Sequence, residues 1–362
     1  MLRTILNLLI IGGDILKELR RMSRRTVIYP TMVCNLKCPF CYYRFLQTKT
    51  HATIESMKAI VDTWKNYYIE AVDITGGEPT VYPYLKDLVS YCKEKDLIVT
   101  VITNATQYQL IKDLADLGLD EFLISIHGTP NIHEKMVDAK VWNRVEKFLK
   151  ECKEYGIPYR INCVVTKVNL PYLKETAKFY LTLEAPIVNF IVFNPHPGTL
   201  WSDKINVEFQ ERYSLIAKGI QEAIDILDKD IWVNVRYIPM CTMKGYEHHV
   251  TNFLQNIYEP FEWECLSQYK ITKEKVKELA PKLKDQVFGT NDLEIVMNYY
   301  RRKDIENNIW TKKCLSCSNR FICDGLYPQY LKRYGDKEFV PYTDEIKVDP
   351  IYYRKKDLRW LG

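Results

Sequence analysis

Three cysteines fall within eight residues in the run Cys34-Asn-Leu-Lys-Cys38-Pro-Phe-Cys41. Thiolates are soft ligands that select zinc or an iron–sulfur cluster. A closed structural site of either kind takes four protein ligands, whereas three leave one metal position open, as a catalytic site requires. A zinc knuckle that borrows its fourth ligand from elsewhere, His51 for example, satisfies the same spacing. A second group, Cys314-Leu-Ser-Cys317 followed by Cys323, has the spacing C-x2-C-x5-C, which zinc ribbons also use. Cys92, Cys152 and Cys163 stand singly inside helical or strand-like stretches and read as small core residues.

Chemistry at such loops needs elements to hold them. β-branched runs at 26–32, 71–75, 98–103, 121–126, 159–165 and 188–193 alternate with helical stretches at 54–67, 84–95, 108–117, 142–155 and 170–181. Six such units imply a parallel sheet covered by helices. Their regularity favours an α/β fold of the partial (β/α)6 TIM-type barrel kind, with its chemistry on loops at the C-terminal strand ends. A long helical stretch at 208–228 and one further strand at 231–238 end the repeat. Beyond residue 237 the alternation stops, helices are expected at 270–279 and 293–308, and Cys241, Cys265, Cys314, Cys317 and Cys323 gather. The organisation expected is an amphipathic helix over 1–25, a barrel over 26–236, and a small cysteine-rich domain over 237–362.

Polar signals sit at four successive strand ends. Gly76-Gly77-Glu78-Pro79 closes the second strand, Thr103-Asn104 the third and Ser125-Ile126-His127-Gly128 the fourth, while Asn162 lies on the fifth. Taken singly, Gly-Gly is usually a turn, and a polar strand end is commonly a helix cap. Together, and in register with the C-x3-C-x2-C loop after the first strand, they resemble the radical S-adenosylmethionine (SAM) superfamily. That resemblance implies a [4Fe-4S] cluster on Cys34, Cys38 and Cys41 whose open iron binds the amino and carboxylate groups of SAM. It further implies that Gly76, Gly77, Glu78, Pro79, Asn104, Ser125 and Asn162 contact SAM, with Glu78 as acceptor for its ammonium. The glycines would let backbone approach the ligand closely. Reductive cleavage of SAM would then give a 5′-deoxyadenosyl radical that abstracts hydrogen from a substrate. His127 and His196 read as structural hydrogen-bonders rather than catalysts.

The C-terminal run similarly resembles the SPASM and "twitch" extensions that hold auxiliary [4Fe-4S] clusters. A full SPASM pattern continues with a cysteine where this chain has Tyr327, so one auxiliary cluster is expected rather than two. Its ligands would be Cys314, Cys317, Cys323 and a fourth group, with Cys265 favoured over Cys241, Asp324 or the substrate.

Composition limits the remaining options. The chain has 362 residues, 47% hydrophobic and 27% charged, with 26 Tyr and 7 Trp, an ordinary globular balance apart from the aromatics. Its net charge of +5 is spread along the chain and indicates no nucleic acid. Eleven cysteines without a signal-peptide cleavage pattern point to a reducing cytoplasm and to metal rather than disulfides. The apolar core of the N-terminal segment is far short of the roughly twenty residues a membrane span needs. Its basic amphipathic pattern would allow a weak membrane-surface contact. Expected partners are a peptide or a small polar substrate such as a sugar or nucleoside, and an electron donor such as flavodoxin or ferredoxin. A lipid substrate and a non-catalytic scaffold with two zinc sites are the alternatives.

Overall fold

The computed structural model describes residues 22–41, 50–195, 207–264 and 266–356. Most of the N-terminal helix expected over 1–25 lies outside these residues, as do His196 and Cys265. Residues 22–24 are coil, and the first strand already begins at Arg25.

Seven parallel strands form one sheet in strictly sequential order: β1 (Arg25–Thr31), β2 (Ala71–Gly76), β3 (Ile98–Thr103), β4 (Glu121–Ser125), β5 (Tyr159–Val165), β6 (Ile187–Val192) and β7 (Trp232–Arg236). The sheet is an open barrel wall, and the further strand at 231–238 extends the six expected units to seven. β3 reads Ile-Val-Thr-Val-Ile-Thr, β-branched at every position, which suits a pleated surface buried on both faces.

Helices cover the outside: α1 (Ile54–Thr63), α2 (Leu85–Glu94), α3 (Ile111–Asp116), α4 (Pro130–Val137), α5 (Trp142–Glu154), α6 (Leu173–Leu181) and α7 (Tyr213–Leu227). Their registers follow from apolar spacing. α7 buries Tyr213, Ile216, Ala217, Ile220, Ala223, Ile224 and Leu227, one continuous face of a 3.6-residue repeat. Thr53 caps α1 by accepting from the Ser56 N–H at 3.2 Å. The sequence pattern missed α4, a short helix opened by Pro130 at its first turn. Beyond the barrel come α8 (Phe253–Asn256), α9 (Lys273–Leu283), α10 (Asp292–Asp304), α11 (Lys312–Leu315) and α12 (Pro328–Tyr334). Among the described residues no helix is long and apolar enough to cross a membrane.

The barrel interior is polar at several levels. Asn162, Asn189 and Asn234 are register partners on β5, β6 and β7. They form a ladder in which Asn189 Nδ2 donates to Asn162 Oδ1 (2.9 Å) and Asn234 Nδ2 to Asn189 Oδ1 (3.1 Å). Arg25 pairs with Asp73 at 2.8 Å, and Arg160 grips both oxygens of Glu121 at 2.7 and 2.9 Å. The segment after α8 closes the same interior, with Glu262 pairing with Arg236 and Glu259 with Arg354. Buried ions need such partners, because an unpaired one costs several kcal/mol.

Candidate functional site

In a parallel sheet the C-terminal ends of all strands lie along one edge, and the loop carrying Cys34, Cys38 and Cys41 leaves β1 there. Backbone closeness holds that loop in place. Gly77 N–H donates to Thr31 C=O (2.9 Å) and Glu78 N–H to Val33 C=O (2.8 Å). The double glycine makes this approach sterically feasible. Gly76 adopts φ +131°, and a Cβ on it would collide with the Thr31 carbonyl. A Cβ on Gly77 would lie 2.6 Å from the Met32 carbonyl oxygen and closer still to that of Val33. The close approach seen here is thus between β2 and the chain's own cysteine loop. Gly77→Ala is therefore expected to displace that loop and lower SAM cleavage about a hundredfold, the scale that a 1 Å misplacement reaches. Comparing 5′-deoxyadenosine yields at equal iron content checks this.

Glu78 is buried, and its carboxylate organises the strand ends. Oε1 accepts from Thr80 N–H (3.1 Å), Thr80 Oγ1 (2.6 Å) and Thr103 Oγ1 (2.7 Å), and Oε2 from Asn104 N–H (2.7 Å). Burial raises its pKa and these donors oppose the shift. The same side chain that was expected to accept from an ammonium therefore ties β2 to β3. Asn104 continues the network, donating from Nδ2 to Asn35 Oδ1 (2.8 Å), while its own Oδ1 accepts from Thr106 Oγ1 (2.6 Å). Asn35 donates in turn to Thr106 Oγ1 (2.8 Å). Asn35 and Thr106 escaped the sequence reading. Their only signal was adjacency to Cys34 and Asn104.

Ser125, the last residue of β4, is the register partner of Asn162 in the middle of β5. Asn162 sits at one end of the asparagine ladder. Asn189 and Asn234 could have been suspected from an amide in the middle of otherwise apolar strands. Pro79 opens the turn that follows β2 and is buried. Phe40, before the last cysteine of the loop, packs edge-on against His127 with ring centroids 4.9 Å apart. His127 Nδ1 accepts from Val164 N–H (3.2 Å), and its carbonyl accepts from Asn169 Nδ2 (3.0 Å), so this histidine is a structural hydrogen-bonder.

The thiols themselves are poised for a cation. Burial pushes the Cys34 thiol up to about 11, with Glu78 and Cys41 adding to the shift, and pushes Cys38 higher still. Only a bound metal would hold three such thiolates together. Among the described residues, no trio of His, Cys, Asp or Glu that includes these cysteines brings its ligand atoms all within 4.8 Å of one another. Zinc at about 2.3 Å from each sulfur would draw its ligands closer than that. The all-sulfur donor set suits a soft metal centre, an iron–sulfur cluster among them. His51 pairs in a bridge with Thr31 and stands against the Tyr82 ring.

A second thiol group lines one small pocket, partly open to solvent, where Cys241 joins Cys314, Cys317 and Cys323. Cys241 lies on the 3-10 turn Met240–Thr242 just after β7, and burial raises its pKa, with Cys323, Cys314 and Cys317 adding to the shift. Burial also pushes Cys323 up to about 12. Tyr342 N–H donates to Cys317 Sγ (3.4 Å). Asp324 is committed elsewhere, accepting from Phe253 N–H (2.7 Å) and Leu254 N–H (3.1 Å) at the start of α8. The four sulfurs could hold an auxiliary cluster. Cys92, Cys152 and Cys163 are buried in the core, as their isolation suggested.

Residues 28–180 match the family description "Radical SAM superfamily". The chain is similar to the Fe-coproporphyrin III synthase of Methanosarcina barkeri, 28% identical over 145 residues, covering 39% of this chain and 36% of that protein. It is also similar to the tungsten-containing aldehyde ferredoxin oxidoreductase cofactor-modifying protein of Pyrococcus furiosus, 23% identical over 81% of this chain and 87% of that one. The matched stretches span between 36% and 64% of the length of the first curated relatives. In fold it is similar to Streptococcus suis SuiB bound to its precursor peptide SuiA, with TM-score 0.55 and 18% identity, covering 92% of this chain and 78% of that one.

Proposed function

We propose that this chain, whose residues 28–180 match the radical SAM superfamily, belongs to that superfamily and is an enzyme modifying a polar substrate by radical chemistry. The observation that carries the proposal is the three-cysteine loop after β1, braced by Gly76-Gly77 and by the Glu78–Asn104 network at neighbouring strand ends. Cys34, Cys38 and Cys41 would hold a [4Fe-4S] cluster. When bound, that cluster supplies the electron that cleaves SAM into methionine and a 5′-deoxyadenosyl radical. Gly76, Gly77, Glu78, Pro79 and Asn104 would then shape the SAM site, Glu78 by fixing the strand ends, while Ser125 and Asn162 would face SAM across β4 and β5. Cys241, Cys314, Cys317 and Cys323 would hold one auxiliary [4Fe-4S] cluster. Flavodoxin or ferredoxin would supply the electron.

The barrel interior supports a polar substrate, a peptide or a small molecule such as a sugar or nucleoside, over a lipid. It is lined by the asparagine ladder and, at the C-terminal end of β7, by the buried guanidinium of Arg236, whose Nε and Nη2 find no hydrogen-bond partner among the described residues. Buried donors of that kind favour ligands that accept hydrogen bonds.

The experiment is anaerobic purification with metal analysis and incubation with SAM and a reductant. The expected result is a brown protein with about eight iron atoms per chain, as two four-iron clusters require, and formation of 5′-deoxyadenosine. A colourless protein with stoichiometric zinc would overturn the reading and favour a scaffold role.

A further inference from the structure

Asp228, His248 and His249 stand apart from both cysteine groups, and their ligand atoms all lie within 4.8 Å of one another. Asp228 is the first residue past α7, where its own N–H still donates to Ile224 C=O (2.8 Å). His248 and His249 belong to the 3-10 turn Glu247–His249, which returns along β7. The trio therefore occupies the N-terminal edge of the barrel, opposite the edge that carries Cys34.

The histidine geometry is that of a prepared ligand. His249 is buried, and its Nδ1 lies 2.9 Å from the carbonyl oxygen of Val233. A carbonyl only accepts, so Nδ1 carries the proton, and the ring orientation and tautomer are set by a backbone group, as in many metal-binding histidines. In the neutral ring Nε2 then turns a lone pair toward Asp228 Oδ1, 3.8 Å away. Two acceptors facing each other at that distance repel, and a cation between them turns that repulsion into attraction. The His248 ring stands beside that of His249, with centroids 4.1 Å apart. The end of α7 adds the partial negative charge of its last carbonyls. Arg354 is nearby, but its guanidinium is paired with Glu259 at 3.0 Å, which offsets its charge.

We infer that Asp228, His248 and His249 form a binding site for a divalent transition-metal ion of the zinc type, with water completing its shell. Two imidazoles and one carboxylate are a donor set such ions accept. The ion would staple the end of α7 to the segment following β7, a join that Tyr246 already reinforces by donating to Asp225 Oδ1 (2.6 Å).

The test uses the iron-loaded protein, dialysed to equilibrium against chelator-buffered zinc, with zinc and iron both counted. About one zinc per chain is expected with iron unchanged, together with a higher melting temperature. Asp228→Asn and His248→Ala change side chains that are only partly buried, so folding is preserved. Each is expected to weaken zinc affinity at least about tenfold, a loss that even second-shell changes can reach, and to remove the thermal shift. Zinc uptake that survives in the double variant, or that displaces iron in proportion, would overturn the inference. So would no uptake at all, which would leave the trio as an ion pair between protonated His249 and Asp228.

Discussion

Replacing Cys34, Cys38 and Cys41 together by alanine is expected to abolish 5′-deoxyadenosine formation while leaving about four iron atoms per chain in the C-terminal cavity, half the two-cluster content. The loss should be complete because these three sulfurs are the whole protein ligand set proposed for the N-terminal cluster. Removing all three also leaves no partial site to be rescued by a neighbouring thiol. The fold should survive. All three cysteines are only partly buried, and the loop is anchored mainly through backbone bonds from Gly77 and Glu78, beside weak contacts from Leu36 N–H and Asn104 Nδ2 to Cys34 Sγ. Circular dichroism and the iron count establish that the variant is folded. SAM cleavage that persists in such a protein would show the assignment of these three cysteines to be wrong.

The second large effect concerns the C-terminal cavity. Cys241→Ala is expected to lower iron from about eight to about four atoms per chain, the content of a single four-iron cluster, without abolishing SAM cleavage. Cys265→Ala should leave iron at the wild-type value. The reason is geometric. Cys241 lines the same cavity as Cys314, Cys317 and Cys323, and its thiol interacts with all three. Asp324, the carboxylate alternative, already accepts two backbone N–H groups at the start of α8. Withdrawing it would leave those donors unsatisfied, at about 1–3 kcal/mol for a buried group. Full iron content in the Cys241→Ala protein would overturn this ligand set.

The legible parts of the molecule were the local ones. A strand of β-branched residues such as β3 declares itself, because stiff branched side chains, Thr as well as Ile and Val, pack well on a pleated surface. The Cys34–Cys38–Cys41 spacing carries its meaning within one turn of loop, and so does the Gly76-Gly77 pair at the end of β2. What could not be read was anything set by register or by distant segments meeting. The sequence suggested Glu78 as a ligand for an ammonium but did not reveal that its carboxylate accepts from Thr80, Thr103 and Asn104 across two strand ends. Asn189 and Asn234 passed unremarked in the sequence, and only strand pairing aligns them with Asn162. The helix opened by Pro130 was too short to register as a periodic pattern.

The three-cysteine loop, the strand ends beside it and the alternating α/β order were determined by the sequence itself, since each depends on neighbours in the chain. The bracing of that loop against Gly76 and Gly77, the company Cys241 keeps and the meeting of Asp228 with His248 and His249 were decided only by tertiary structure. Each of those depends on where β7 and the segment after it pack against the rest, and no local spacing encodes that.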